Sequence, residues 1–267
     1  MLDMNPRIVL ARALIKLGHF VQESAVTVMR PRDLIEFSRK SYSRAQEVKA
    51  WGAKQWLESG LTPEEADLEG KFPIKSGKLF LLGAGGGREA IFFAKKGIDV
   101  TAVDFIPEMV EEARKNIKLY GAHAKVLVQE ISNLDLPDAY YDYVWISMGL
   151  YSAVPTRTKR VKMLKNLWRS LKPEAVLFCQ FHWDPQKGLS FKAEFAKKLF
   201  ALLTLGNFWY EKGDMLWGNS EFLHAFTSED KLRSEFEAGG FKMISIQLNE
   251  KTRRAGAILQ KFEKNLS

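Results

Sequence analysis

The residues best placed to do chemistry are a glycine cluster, Leu82-Gly83-Ala84-Gly85-Gly86-Gly87, and the aspartate twenty-one residues after Gly83, Asp104. Glycines let a backbone pass close to a ligand, and a helix that starts there offers free N–H groups and a partial positive charge. A carboxylate ending the next strand would face the same crevice and can accept from two ribose hydroxyls. The loop is a weak signal by itself. It becomes informative because a second, separated feature agrees with it.

These residues need a scaffold, and the surrounding pattern supplies one. Lys78-Leu79-Phe80-Leu81-Leu82 is a short apolar run that reads as a buried parallel strand. Helices are predicted over 88–96, 107–120 and 158–171, and strands over 99–103, 124–129, 143–147 and 175–181. This alternation implies parallel βαβ units with helices on both faces of one sheet. A helix at 228–239 and strands at 242–248 and 255–260 complete a Rossmann-like, doubly wound α/β sheet of seven strands, mostly parallel with an antiparallel last strand. Ahead of it, residues 1–76 read as a helical extension or cap, with helices over 6–30, stopped by Pro31, and from about Asp33 to Ser59. Residues 77–267 form the main domain, with 185–224 a helical lid inserted after the fifth strand.

Gly85-x-Gly87-x-x-Ala90 also fits a dinucleotide pattern, which keeps a nicotinamide or flavin open. The alternative ligand is S-adenosylmethionine, which needs no pyrophosphate site. Downstream segments discriminate. Leu79–Gly87 followed by Val100-Thr101-Ala102-Val103-Asp104-Phe105 resembles the first two motifs of the class I S-adenosylmethionine-dependent methyltransferases. Glu130–Val144, with Leu136-Pro137-Asp138 and Tyr141-Asp142, looks like that family's third signature. Arg169-Ser170-Leu171-Lys172-Pro173 matches its motif before strand five, and Ala238-Gly239-Gly240-Phe241 its turn before strand six. The resemblance is continuous over about 77–181.

The resemblance implies S-adenosyl-L-methionine as cofactor and assigns roles residue by residue. Gly83, Ala84, Gly85 and Gly87 would line its methionine part, Asp104 would hold the ribose and Phe105 would lie against adenine. Glu130 would accept from the adenine amino group, the Ile131 N–H would reach a ring nitrogen, and Ser147 would lie near the methionine end. One departure matters. Many members carry an acid two residues before the first glycine, where this chain has Leu81, so the methionine ammonium needs another partner.

A base is needed only if the methyl acceptor holds its proton tightly. Tyr141, Tyr151, His182, Asp184 and His224 are the polar candidates; His182, immediately after strand five, is preferred, with Tyr151 beside it. Ser147-Met148-Gly149-Leu150-Tyr151 stands where base- and glutamine-amino methyltransferases often carry Asn/Asp-Pro-Pro-aromatic, which argues against those acceptors. Phe191, Phe195, Leu199 and Leu202–Leu203 form one apolar stripe in the insertion. An aromatic lid beside a helical cap suits a small, apolar or lipid-like acceptor methylated on oxygen, and permits peripheral contact with a membrane surface.

The 267 residues carry a formal charge of +8, yet 61–157 hold 14 acidic against 11 basic side chains, so the excess lies in the flanks. The absence of any run of five Lys/Arg argues against a nucleic-acid tail. Cys179 is the single cysteine, which excludes internal disulfides and multi-cysteine metal sites; no metal is expected. Arg12 and Lys16 interrupt a leader-like apolar stretch, and a cytoplasmic location is expected. Competing readings are an RNA- or protein-modifying methyltransferase, a non-catalytic binding protein of the same fold, and a nicotinamide oxidoreductase. The sequence leaves the oligomeric state and the acceptor open.

Overall fold

The computed structural model describes residues 5–187, 191–218 and 220–262, with the side chains of 191–193 also outside the description. Five helices lead: α1 (Pro6–Val28), α2 (Pro31–Tyr42), α3 (Ala45–Trp51), α4 (Lys54–Leu57) and α5 (Pro63–Lys71). Then follow β1 (Lys78–Leu82), α6 (Arg88–Lys95), β2 (Asp99–Asp104), α7 (Pro107–Leu119), β3 (Ala124–Val128), β4 (Tyr141–Ile146), α8 (Arg157–Ser170) and β5 (Leu171–His182). The last part holds α9 (Phe191–Leu203), β6 (Asp214–Trp217), β7 (Glu221–His224), α10 (Glu229–Ala238), β8 (Phe241–Asn249) and β9 (Arg254–Lys261).

Seven strands form one sheet in the order β3-β2-β1-β4-β5-β9-β8, parallel except for β9, which runs antiparallel to both neighbours. This is the doubly wound architecture expected from the alternation of elements. The order reverses beside β1, so the carboxyl ends of β1, β2 and β4 open the crevice where such sheets bind ligands. Each face of the sheet has its own core. On one side β1, β2 and Trp145 pack with Phe93, Val110 and Ala113 of α6 and α7. On the other, β4 and β5 pack with Met163, Leu164 and Leu167 of α8 and Phe236 of α10. Trp145 is fully buried, its ring centroid 5.1 Å from Phe93 and 5.0 Å from Phe178. Truncation to alanine at such a site costs about 3–5 kcal/mol. Cys179 is buried in β5, and its thiol pKa is pushed up by that burial.

The N-terminal helices share this core: Leu57, Leu68 and Ile74 belong to the cluster around β1 and β2. Helix α5 is set by a capping box in which Thr62 and Glu65 satisfy each other's backbone N–H groups.

Three expectations are corrected. Pro31 does not merely stop the first helix; it occupies the first turn of α2, where its missing N–H costs nothing. The single helix expected from Asp33 to Ser59 is three, broken at Ser43 and Gly52. The 185–224 insertion is not helical throughout. After α9 it forms an antiparallel hairpin, β6–β7, with Met215 opposite Leu223 and Gly218 at positive φ in the connection. Aromatic side chains at Trp217 and Phe222 suit strands as well as helices, and the helical reading missed the turn chemistry between them. Phe191, the first residue of the apolar stripe, has its side chain outside the described residues.

Candidate active site

The glycine loop is held by the strands beside it. The amides of Gly83 and Ala84 both donate to the Val103 carbonyl at 2.9 Å, and Asn116 Nδ2 donates to the Gly86 carbonyl at 2.9 Å. Gly83, Gly85 and Gly87 have φ of +84°, +48° and +100°, where side chains with a Cβ are disfavoured. Asp104, at the end of β2, is buried with its carboxylate directed to the loop. Its Oδ2 accepts from the Gly85 N–H at 3.0 Å and its Oδ1 from the Ile106 N–H at 3.1 Å. Burial raises its pKa, while these amides work in the opposite direction.

Gly83, Ala84, Gly85, Asp104, Phe105, Glu130, Ile131 and Ser147 all line one crevice. Gly87 does not: as the residue capping α6 it packs near Ala113 of α7, so its freedom serves the strand–helix turn. Ser132 donates a hydroxyl hydrogen bond to Glu130. Arg39 of α2 sits over the Phe105 ring, 5.4 Å from its centroid, and donates to the Phe105 carbonyl at 3.3 Å.

Helices α2 to α4 roof this crevice. Ile35, Ser38 and Tyr42 line it beside Trp51 and Trp56, and a Cβ on Gly86 would overlap the Trp51 carbonyl. Beneath the loop lies a charged triad. Arg88 forms a forked pair with Glu65, Nη1 to Oε2 at 2.7 Å and Nη2 to Oε1 at 2.8 Å, and Nη2 also reaches Glu89 Oε1 at 2.8 Å. All three are buried, and one guanidinium faces two carboxyl groups, so with both of them ionised one negative charge is left over. Glu89 lines the crevice. Burial first, and then the Glu65 charge, push its pKa up to about 7. At the other end Tyr42 of α2 donates its hydroxyl to Glu221 of β7, and burial raises the pKa of that carboxyl. Around this pair the lining is largely apolar, with Ile35, Leu150, Val154, Pro155 and Leu223.

The two residues preferred as bases lie elsewhere. Tyr151 is fully buried, and its hydroxyl donates to Glu235 Oε1 at 2.6 Å. Arg160 ties Glu235 (Nε to Oε1, 2.6 Å) to Glu211 (Nη2 to Oε2, 2.7 Å), and the His224 ring lies 2.7 Å from Asp214. Tyr151 and His224 thus belong to an ionic network that fastens the β6–β7 hairpin to α8 and α10. Glu211, Asp214 and His224 converge within 4.8 Å, but Arg160 already supplies the cation there. His182 is buried beside Trp217, 5.1 Å between ring centroids, and its backbone N–H donates to Ser152 Oγ at 2.8 Å. Burial pushes its pKa down to about 4. Neither Tyr151 nor His182 lines the crevice. Tyr141 begins β4, at the end of the strand away from the crevice, its ring tilted against Phe80.

Sequence reasoning missed Glu89 and the Tyr42–Glu221 pair. Glu89 carried a signal, because an acid in the first turn of the helix after a glycine loop faces that loop. The pairing of Tyr42 with Glu221 spans 179 positions and had none.

A reversed-order seven-stranded sheet, a glycine loop after β1 and a buried acid closing β2 give the chain the fold of the class I S-adenosylmethionine-dependent methyltransferases. Residues 81–174 match the family model described as a methyltransferase domain. Among curated proteins, the Bacillus subtilis (strain 168) methyltransferase candidate YqeM is 28% identical over 115 residues. That match spans 43% of this chain and less than half, 46%, of YqeM. Among solved structures, a Methanosarcina mazei S-adenosylmethionine-dependent methyltransferase aligns with TM-score 0.60 and 22% identity, over 77% of this chain and all of that one. The Burkholderia thailandensis 1,6-didemethyltoxoflavin-N1-methyltransferase, solved with its substrate and S-adenosylhomocysteine, aligns with TM-score 0.59 and 16% identity, over 86% and 88%. These two likenesses speak for the fold.

The residues fit the family's cofactor. The loop leaves room where side chains would stand, Asp104 keeps acceptor capacity beyond its two amides, and the Ser147 hydroxyl is buried at the crevice, where it hydrogen-bonds to Glu89. Among the described residues no helix is long and apolar enough to cross a membrane.

Proposed function

We propose that the protein transfers a methyl group from S-adenosylmethionine to the oxygen of a small, largely apolar acceptor bound between α2 and the β6–β7 hairpin. The observation that carries this reading is the Tyr42–Glu221 pair, the polar group at the apolar end of a crevice whose other end fits the donor. When bound, the cofactor supplies an electrophilic methyl group on a sulfonium. The chain then has to orient the acceptor, exclude water and receive a proton.

Glu221 receives the proton that the acceptor hydroxyl loses as its oxygen is methylated. Its raised pKa makes it a better base than a solvated glutamate. Tyr42 is a positioning residue, fixing the carboxylate from the roof. Asp104 and Glu130 hold the nucleoside. Glu89 takes the place of the acid absent at Leu81, because its triad carries an uncompensated negative charge to which the methionine ammonium is complementary. A crevice roofed by α2 to α4 favours a small acceptor over RNA or a folded protein. The Burkholderia structural neighbour is an N1-methyltransferase, and a carboxylate at Glu221 would serve an N–H acceptor by the same proton transfer.

The test is methyl transfer from labelled S-adenosylmethionine to a panel of phenols, carboxylic acids and heterocyclic amines, read by product mass. Glu221→Gln should lower kcat by about 100-fold while leaving S-adenosylhomocysteine affinity unchanged. An undiminished kcat in that variant would remove Glu221 from the chemistry.

A further inference from the structure

Helix α1 is the least explained element. From Arg7 to Glu23 every residue is exposed, and among the described residues its buried side chains lie in its last turns, where Val26 packs with Leu34, Tyr210 and Phe222. Yet the exposed part is not polar. Leu10, Leu14, Leu17 and Val21 recur at four- and three-residue spacing and form one apolar stripe, each about 60% exposed. Arg12, Lys16, His19 and Glu23 form the opposite stripe by the same spacing, flanked by the exposed Ile8, Val9, Ile15 and Phe20.

Helix α9 packs beside α1 and continues the same surface. Gly206 lies against the carbonyls of Thr27 and Val28, the Asn207 N–H donates to the Thr27 carbonyl at 2.7 Å, and Lys197 reaches Glu23 at 3.4 Å. Its exposed side chains include Phe195, Leu199 and Leu203, and the segment after it adds Phe208 and Trp209, both at least half exposed. Contiguous apolar exposure on this scale marks an interaction surface.

Charge identifies the occupant. Among the described side chains of α1 and α9, Lys197 is buried and pairs with Glu23, Lys198 pairs with Glu194, and the net charge of the two helices comes from Arg7, Arg12 and Lys16. A second copy using this face would set the same positive field against itself. An anionic lipid surface complements it, and amphipathic helices with cationic polar stripes and a flanking tryptophan lie in the headgroup plane of such surfaces. We infer that α1 and α9 together form a peripheral docking surface for an anionic bilayer. Helix α2, which lines the crevice, is separated from α1 by only two residues, so docking would hold the crevice roof close to the lipid surface. The inference is independent of the methyl-transfer reading.

The test is co-sedimentation of the full chain with phosphatidylcholine vesicles containing about one-third phosphatidylglycerol, at about 0.1 M salt. Most of the protein should pellet. Binding should fall at least tenfold with pure phosphatidylcholine, at about 0.5 M salt, where the Debye length shrinks, and in the double variant Leu14→Asp/Leu17→Asp. Both leucines lie outside the core, so the variant should keep its melting temperature. Protein left in the supernatant with anionic vesicles, or a double variant that still pellets, would overturn the inference. A concentration-dependent dimer that the double variant splits, with no vesicle binding, would assign the face to a second copy instead.

Discussion

The Gly85 amide donates to the Asp104 carboxylate at 3.0 Å, which joins the loop after the first strand to the acid that ends the second. Two features that stand nineteen residues apart in the chain therefore form one rigid unit. A second amide, from Ile106, holds the other carboxylate oxygen. The carboxylate keeps acceptor capacity for a diol, and its orientation is fixed before any ligand arrives.

Glu89 makes donor binding depend on pH. With a pKa of about 7, it is mostly protonated in the free protein below neutrality. An ammonium beside it selects the ionised form, so binding releases a proton. Affinity for S-adenosylmethionine should fall by up to about tenfold per pH unit below 7 and level off above it. Titrations in buffers of differing ionisation enthalpy should show the released proton. Glu89→Gln should bind more weakly and lose both effects, whereas a wild-type affinity flat from pH 6 to 8 would contradict the assignment.

The same group has a stability signature, opposed by His182. An acid raised from 4.5 to about 7 makes the folded state hold the extra proton, so its contribution falls as pH rises across that window. A histidine lowered from 6.5 to about 4 does the reverse: the unfolded chain holds the extra proton, and stability rises with pH from 4 to 6.5. Each is worth roughly 3 kcal/mol, and they largely cancel. Glu89→Gln should leave a denaturation midpoint that climbs from pH 4.5 to 6.5. A flat profile in that variant would show that His182 is not the opposing group.

Gly86→Ala probes how the roof meets the loop. The new methyl would overlap the Trp51 carbonyl and must push α3 outward. Overpacking of this kind costs about 1–3 kcal/mol. The variant should melt lower and bind S-adenosylhomocysteine more weakly. Unchanged melting and affinity would mean that α3 does not press on the loop.

Tyr151 and Arg160 separate architecture from chemistry. Tyr151→Phe removes one hydrogen bond to Glu235, so stability should drop by about 1–2 kcal/mol with kcat nearly intact. Arg160→Met strands Glu235 and Glu211 and should cost about 3–5 kcal/mol. Chemical denaturation measures both. A large loss of kcat in a stable Tyr151→Phe protein would return Tyr151 to the reaction.

The sequence was most legible where local pattern and burial agree. The apolar run Leu79–Leu82 could be read as a parallel strand because both of its faces are buried. Asp104 stood out because strand-end acids beside a glycine loop have few other uses. The β6–β7 hairpin was illegible because its aromatic residues serve helices and strands alike. The places of His182 and Tyr151 after strands predict access to the crevice, but burial beside Trp217 withdraws His182 and the Glu235 network, formed by distant segments, withdraws Tyr151. Glu221 entered the crevice only through pairing with Tyr42, and no local signal encodes a partner 179 positions away.

The central claim is that the crevice between the glycine loop and Asp104 binds the methyl donor. Calorimetric titration with S-adenosylhomocysteine, run beside Asp104→Ala, tests it most directly. We expect micromolar binding in the wild type and at least a tenfold loss in the variant, about the value of hydrogen bonds to a charged group. No heat from the wild type with S-adenosylhomocysteine or S-adenosylmethionine near millimolar concentration would contradict the account, as would equal affinity in the variant.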